Sequence, residues 1–288
     1  MPVRDDLGVR MKTFYEQISK TKLMRRCPVA LRIDGKAFHT FTRGFQKPFD
    51  EVLIKSMQET MKYLCENIQG CVLGYTQSDE ITLILVDYKK LTSSAWFDYE
   101  VQKLCSIAAS MATMAFNKAF EKNVKSFDLL LAYNDYGDDT EENRKLLDIY
   151  NKAVDKGAMF DCRCFNIPKE EVTNLIYWRQ LDASRNSIQM VGQANFSHKE
   201  LQNKSCNEIQ DMLMTQKGIN WNDLPIYQKR GSCCVRNKIV LFRDSIMETV
   251  QLRNTSKSEN EWIIDTKIPI FKDEGREYID RLIYIGEE

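Results

Sequence analysis

The stretch LRIDGKAFHTF at residues 31–41 decides the fold, because its first half has the pattern of a strand and its second half that of a ligand-binding turn. Apolar side chains at Val29, Leu31 and Ile33 alternate with other residues up to Asp34, which is the period of a half-buried strand. Asp34 therefore leaves the sheet on the face opposite the aliphatic side chains.

An Asp-Gly turn follows that strand and favours an anion-binding site. Gly35 allows a sharp turn and removes the side chain that would block a ligand. After it come Lys36 and the free backbone N–H groups of Ala37, Phe38 and His39. A carboxylate beside such a cationic turn is suited to Mg²⁺-bound polyphosphate, because the carboxylate holds the metal while the amides hold phosphate oxygens. An ordinary hairpin turn, which Asp-Gly also favours, explains the same residues.

Composition is that of a soluble globular protein without a global charge bias. The 288 residues are 43% hydrophobic and 28% charged, which is enough to build a full core. Since 41 basic and 41 acidic side chains give a formal net charge of zero, no overall field attracts nucleic acid. Any contact with RNA must come from a local basic patch.

Cysteine and histidine usage indicates a reducing compartment. Nine cysteines without paired C-x₂-C spacing, and only His39 and His198 as imidazoles, disfavour both a zinc site and a disulfide framework. The amino terminus is charged, and no apolar run reaches about 18 residues, so we expect neither a signal peptide nor a membrane span. These features predict a cytoplasmic protein.

Hydrophobic periodicity predicts an α+β fold around a βαββαβ unit with an antiparallel sheet and helices on one face. The predicted elements are a first helix at 5–26, the Asp34 strand, a helix at 50–68, strands at 72–77 and 81–86, a helix at 92–120 and a strand at 160–165.

Additional segments surround this unit, which spans about 28–168. Residues 134–156 are rich in charged and amide side chains, so we interpret them as a solvated insertion with only a small helix. The chain from about 169 to 288 adds a helix at 169–182, a mainly helical region to about 218, and strands at 232–242 and 261–270.

Two acid-bearing turns come together on this topology. Asp34 ends the first strand, and Asp79 lies at the tip of the following hairpin, flanked by Ser78 and Glu80. Two carboxylates at neighbouring strand ends can hold two Mg²⁺ about 3.5 to 4 Å apart, which is the geometry of nucleotidyl transfer. A merely polar hairpin tip is the structural alternative. No P-loop, Rossmann, hydrolase-elbow or zincin motif occurs.

Four motifs in this order resemble the tRNA(His) guanylyltransferases and their guanylyltransferase-like relatives. That family comprises 3′-to-5′ polymerases, which add nucleotides to the 5′ end of tRNA. The resemblance spans roughly residues 5 to 232. Its motifs are RIDGKxFHxF at 32–41, QSDE at 77–80, FDxR at 160–163 and WRQxD at 178–182.

The resemblance implies a single catalytic domain over 1–288, with a polymerase-like palm, added helices and assembly as a homotetramer. Asp34, Asp79 and the Gly35 carbonyl would ligate two Mg²⁺, with Glu80 in support as a third catalytic residue. Asp34, Gly35, Lys36, Ala37, Phe38, His39, Ser78 and Asp79 would bind a nucleoside triphosphate, and Lys47 the activating nucleotide. The family activates the tRNA 5′ phosphate with ATP or GTP, and the 3′-OH of an incoming nucleotide then attacks it.

One departure concerns specificity. Where the tRNA(His)-specific eukaryotic members carry His-Ile-Asn-Asn, this chain has Ser184-Arg185-Asn186-Ser187, of which only Asn186 matches. This favours template-directed repair of 5′ ends, with addition of a single G to tRNA(His) as the alternative. Candidate tRNA contacts are Arg185, Asn186, Lys229, Arg230, Arg236 and Lys238. A solvated strand edge explains the last four equally well.

Non-catalytic RNA-binding modules share the βαββαβ order. Such modules stack bases on aromatic side chains of their central strands. Here the corresponding strand carries Arg32-Ile33-Asp34, whose acid would repel RNA in the absence of a metal. A nucleotide cyclase on a related palm is a weaker enzymatic alternative, against which the WRQxD motif speaks.

Overall fold

A six-stranded antiparallel sheet with the strand order β4-β1-β3-β2-β5-β6 organises the protein. The structure is a computed structural model that describes residues 5–133, 140–236 and 261–285. The strands are β1 (Val29–Gly35), β2 (Cys71–Gln77), β3 (Glu80–Leu85), β4 (Phe160–Asn166), β5 (Ser232–Arg236) and β6 (Trp262–Asp265).

Helices of very different lengths connect these strands. They are α1 (Asp6–Met11), α2 (Phe38–Phe41), α3 (Glu51–Asn67), α4 (Val101–Tyr133), α5 (Glu141–Lys156), α6 (Lys169–Asn195), α7 (His198–Leu201), α8 (Cys206–Lys217), α9 (Ile226–Arg230) and α10 (Glu277–Ile283). Among the described residues, no helix is long and apolar enough to cross a membrane.

The two faces of the sheet pack against different helices. Leu31 and Ile33 of β1 lie on one face, which packs on α3 and α4 in the larger core, and α5 packs on α4. The other face, called here the Asp34 face, carries Ala30, Arg32 and Asp34; toward its centre it packs on α6 and α10. The α+β class is confirmed. The helices of the βαββαβ unit lie on one face, as predicted, and the carboxyl-terminal additions cover the second face.

The amino-terminal helix is shorter than predicted. It ends at Met11 and continues as a π-helical turn over Lys12–Glu16, so it does not reach residue 26. Its apolar side chains, which recur at helical spacing, are not buried: Leu7, Phe14 and Ile18 are 61%, 62% and 76% exposed.

The helix predicted at 92–120 begins and ends later, at Val101 and Tyr133. The preceding segment instead forms a short 3₁₀ turn, in which Phe97 and Asp98 have positive φ values. Asp98 there pairs with Lys22 and Arg25, contacts across more than 70 residues that local periodicity does not reveal.

The prediction of a solvated insertion at 134–156 is wrong for its second part. Residues 134–139 lie outside the described ranges, but Glu141–Lys156 form a full helix, α5. Its Tyr150 and Ala153 are buried in the larger core. The Tyr150 hydroxyl donates a 2.6 Å hydrogen bond to Asp50 at the start of α3, so α5 is part of the fold.

The carboxyl-terminal third extends the sheet beyond the β4-β1-β3-β2 unit. The helix predicted at 169–182 continues to Asn195 as α6. β5 pairs with β2 and ends at Arg236, and the rest of its predicted range, 237–242, is outside the described residues. The strand predicted at 261–270 is shorter, Trp262–Asp265, and α10 was not predicted.

Candidate active site

Asp34 and Asp79 lie side by side at one end of the sheet. Asp34 occupies the penultimate position of β1, opposite Glu80 of β3 in the antiparallel register. Asp79 lies in the tight turn between β2 and β3, and its carbonyl accepts a 3.1 Å hydrogen bond from the Gly35 amide. The sheet therefore joins two acids that are far apart in sequence.

The local backbone is shaped by close packing at two turns. Ser78, in the two-residue hairpin loop, has a φ of +55°, as such tight loops require. A Cβ on Gly35 would come within 2.2 Å of the Phe38 ring, so the close approach of α2 to the strand end requires glycine. Ala37, with a φ of +53°, is the residue immediately before α2.

The start of α2 presents backbone donors to the site. The first N–H groups of any helix lack partners inside that helix, and here they belong to the segment from Ala37 to His39. The Lys36 amide is used differently, because it donates a 2.8 Å hydrogen bond to the Met159 carbonyl. The Lys36 side chain is exposed.

A cleft of about 480 Å³ opens between this turn and α6. It contains seven of the predicted nucleotide-binding residues: Gly35, Ala37, Phe38, His39, Lys47, Ser78 and Asp79. Sequence reasoning missed seven others: Thr42, Phe45, Gln46, Pro48, Asp50, Leu53 and Met190. Met190 comes from α6, more than 100 residues away, and no local signal identifies it.

Electrostatics at the strand ends favour a bound cation. Partial burial, together with the nearby charges of Glu80 and Asp161, raises the pKa of Asp34. Burial and the charge of Asp34 raise the pKa of Asp79, although backbone and Ser78 hydrogen bonds oppose this. Two carboxylates that repel each other in a partly desolvated site gain stability from a cation between them.

The donor set fits magnesium. In the described ranges, no three His, Cys, Asp or Glu side chains come together to hold a metal. Mg²⁺ typically takes one or two protein carboxylates and completes its shell with water and substrate phosphates. Asp34 and Asp79, with the Gly35 carbonyl, provide a set of this size and hardness.

Glu80 lies in an arginine network on the Asp34 face. Its carboxylate accepts a 2.8 Å hydrogen bond from Arg179 Nη2, and Arg32 Nε lies 3.3 Å from its other oxygen. Arg179 also pairs with Asp182 at 2.7 Å. Glu80 thus links β3 to α6, and a role for it in supporting the metals stays a prediction.

Comparison with known proteins identifies the family. The family model described as Thg1, tRNA(His) guanylyltransferase, matches residues 8–168, more than half of the chain. The chain belongs to the tRNA(His) guanylyltransferase family. It is a nucleotidyltransferase, and the predicted membership and enzyme class are confirmed.

Relatives of this guanylyltransferase-family protein match it along most of its length. The tRNA(His) guanylyltransferase of Saccharomyces cerevisiae is 25% identical over 80% of this chain and 91% of its own. A bacterial tRNA(His) guanylyltransferase (Thg1)-like protein solved in complex with ATP is 39% identical, with a TM-score of 0.75, over 97% of this chain and all of its own. A second such structure, in complex with GTP, is 36% identical, with a TM-score of 0.70 and the same coverage.

The predicted tRNA contacts of this guanylyltransferase-family chain divide by exposure. Arg185 and Asn186 are exposed on α6, and Arg185 pairs with Asp182. Arg236 is exposed, with its guanidinium 4.5 Å from the centre of the Trp262 ring, whereas Arg230 is half-buried.

The prediction that Lys229 forms part of a basic surface for tRNA is wrong. Its side chain is buried above Trp221 and donates a hydrogen bond to the Asn222 carbonyl. Burial and the charge of Arg230 lower the pKa of Lys229, so it does not form part of a basic surface. Lys238 lies outside the described residues.

Proposed function

We propose that this protein adds nucleotides in the 3′-to-5′ direction to the 5′ end of tRNA, as a template-dependent repair enzyme. The observation that carries the proposal is the pairing of Asp34 and Asp79 beside a cleft that contains Lys47 and the start of α2. Acids at one edge and cationic or N–H donors at the other suit a triphosphate whose reacting phosphorus points toward the acids.

The residues of the cleft have separate tasks in this proposal. Lys36, His39 and the first amides of α2 hold phosphate oxygens, while Lys47 binds the activating nucleotide. Asp34, Asp79 and the Gly35 carbonyl would hold two Mg²⁺, which would supply positive charge to stabilise the attacking and leaving oxygens. The 3′-oxygen of the incoming nucleotide forms a bond to the activated 5′ phosphorus of tRNA, and the activating nucleoside monophosphate departs.

ATP or GTP serves as the activating nucleotide. Support comes from the Thg1-like bacterial structures, which were solved with ATP and with GTP. We also propose a cytoplasmic location and a homotetramer, both from the sequence and its family resemblance.

Ser184 is the reason to propose that the template base, and not the protein, selects the incoming nucleotide. This serine replaces the histidine of the tRNA(His)-specific enzymes, and its hydroxyl donates a 3.0 Å hydrogen bond to the Gln180 carbonyl within α6. Because that hydroxyl donates its proton within its own helix, the proton is not offered to a base edge. Pairing with the opposing nucleotide is then the main source of discrimination.

Addition of one G to tRNA(His) is the second candidate. It is favoured by the names of curated relatives, including the yeast enzyme. The two candidates share the same chemistry at Asp34 and Asp79 and differ only in how the incoming base is chosen.

Incubation of a 5′-shortened tRNA with labelled NTPs, Mg²⁺ and ATP tests the shared chemistry. We expect a labelled product one nucleotide longer, whose label is lost when a 5′-terminal nucleotide is removed. A label at the 3′ end, or no extension with any NTP, would contradict the proposal.

A further inference from the structure

An exposed tryptophan lies over two arginines on the Asp34 face. Trp178 of α6 is 45% exposed, although a large aromatic side chain gains most when buried. The guanidinium carbons of Arg179 and Arg32 lie 4.5 and 5.5 Å from its ring centre. We call Trp178, Arg32 and Arg179 the Trp178 platform.

The platform is close to the catalytic acids. Arg32 precedes Asp34 by two positions on β1, so the two side chains share a face about 7 Å apart along the strand. Along α6, Trp178 lies about 18 Å from Met190 in the cleft. Asp79 lines the cleft, and the neighbouring Asp34 shares a face with Arg32 of the platform.

The surroundings of the platform suit an anionic, aromatic ligand. Arg163 of β4 is exposed and lies opposite Arg32 in the register, on the same face. The carboxylates of Glu80 and Asp182 are engaged by arginines of the network. A flat ring flanked by guanidiniums is the combination on which proteins stack unpaired bases.

We propose that the Trp178 platform stacks an unpaired nucleotide at the 3′ end of the tRNA substrate. The proposal rests on the proposed function, since it takes the 5′ end of an acceptor stem to be held at Asp34 and Asp79. The strand that continues past that end is the complementary 3′ strand. Its terminal nucleotides are unpaired, so their faces are free to stack, unlike those of bases within the helix.

The distance agrees with this occupant. Stacked nucleotides are separated by about 3.4 Å along a strand. Arg32 is thus about two nucleotide spacings from Asp34, and the Trp178 ring lies 5.5 Å from the Arg32 guanidinium, within the reach of a short unpaired tail. The ring comes from a helix, whereas RNA-binding modules of related topology carry such rings on their strands.

A kinetic comparison tests the proposal with two substrates, an intact 5′-shortened tRNA and the same tRNA trimmed of its unpaired 3′ nucleotides. For the wild-type protein we expect trimming to raise the tRNA KM about 10-fold, the size of a lost base-aromatic stack. Trp178→Ala should raise the KM for intact tRNA by the same factor, and trimming should then have no further effect. Trp178→Phe, which retains an aromatic ring, should recover most of the affinity.

Phe97→Ala is the matched control. Phe97 is also a 42% exposed aromatic side chain beneath a cation, Lys103, but it lies in the segment that contacts Lys22 and Arg25 before β1. It should leave both KM values unchanged.

Fluorescence provides a second readout that is independent of catalysis. Trp96, Trp221 and Trp262 are only 8%, 8% and 5% exposed, so Trp178 dominates any quenching by a ligand in solution. The trinucleotide CCA should quench wild-type emission without Mg²⁺ or NTP, and Trp178→Phe should abolish the quenching.

Three results would overturn the proposal. These are an equal effect of Trp178→Ala on intact and trimmed tRNA, a change in the KM for the NTP instead of tRNA, and quenching that survives in Trp178→Phe. Failure of the proposed function would look different, because wild-type protein would then extend neither tRNA.

Discussion

In the proposed mechanism, Asp34 and Asp79 are the two side chains on which the chemistry depends. Replacing either by asparagine removes a charge that neighbouring carboxylates already destabilise, and it weakens cation binding. We expect Asp34→Asn and Asp79→Asn each to lower the rate of nucleotide addition on the order of 100-fold or more, since metal catalysis supplies several kcal/mol. Single-turnover extension of a labelled 5′-shortened tRNA measures the rate.

Asp98→Asn is the control for these variants. Asp98 is an exposed acid that pairs with Lys22 and Arg25, remote from the acid pair. It should retain full activity, and all three variants should unfold near the wild-type temperature. Wild-type activity in Asp34→Asn or Asp79→Asn would show that these acids take no part in the reaction.

Gly35 has a steric role that can be separated from catalysis. In Gly35→Ala the new methyl group would overlap the Phe38 ring, which packs against Phe41, Phe116 and Phe160. We expect a loss of about 1–3 kcal/mol in the free energy of unfolding, measured in urea, and impaired addition because α2 is displaced.

The double variant Gly35→Ala/Phe38→Leu, in which residue 38 has a smaller side chain, tests this explanation. The double variant should be more stable than the sum of the two single effects predicts, because the overlap is relieved. Strict additivity would show that Phe38 does not limit this position.

The sequence predicted the site best where short motifs fall on strand ends. Asp34 and Gly35 end β1, and Ser78 and Asp79 form the hairpin loop between β2 and β3, so the strand pattern alone places them together. Lys229 was misplaced because a long basic side chain covers apolar surface when a ring such as Trp221 lies beneath it. Its burial depends on distant packing.

At the scale of elements, one buried hydrogen bond joins α5 to the start of α3. The Tyr150 hydroxyl donates to Asp50 Oδ2, while Asp50 also caps α3 by accepting from the Leu53 amide at 2.9 Å. Tyr150→Phe removes the hydroxyl alone and should lower the free energy of unfolding by about 1 kcal/mol in urea titrations. The exposed Tyr15→Phe is the control and should have no effect. If Tyr150→Phe left the free energy of unfolding unchanged, α5 would be held by apolar packing alone.

The misinterpretation of α5 has a physical cause. Its many charged side chains suggested a solvated loop, but they lie on the exposed side of an amphipathic helix. The signal of its buried side was the i, i+3, i+4, i+7 pattern of Leu146, Ile149, Tyr150 and Ala153. Tyr278, Ile279, Leu282 and Ile283 provide the same signal for α10, which is short and therefore easily missed.

At the scale of the whole molecule, we expect a homotetramer. The amino-terminal segment exposes Leu7, Phe14 and Ile18, an apolar surface that association would cover. Light scattering at micromolar protein should give four times the 33.7 kDa chain mass, and Phe14→Glu/Ile18→Glu should lower it. Leu91→Glu, at another exposed leucine, is the control. A wild-type mass of 33.7 kDa would exclude the tetramer.

Template-directed addition is the central claim, and a matrix of four tRNAs and four NTPs tests it most directly. The tRNAs lack the 5′-terminal nucleotide and differ only in the base opposite the gap, and each is offered one NTP at a time. Because Ser184 bonds its own helix and leaves base choice to pairing, we predict rapid addition only for the complementary NTP in each row. Incorporation of G regardless of the opposing base would contradict the account.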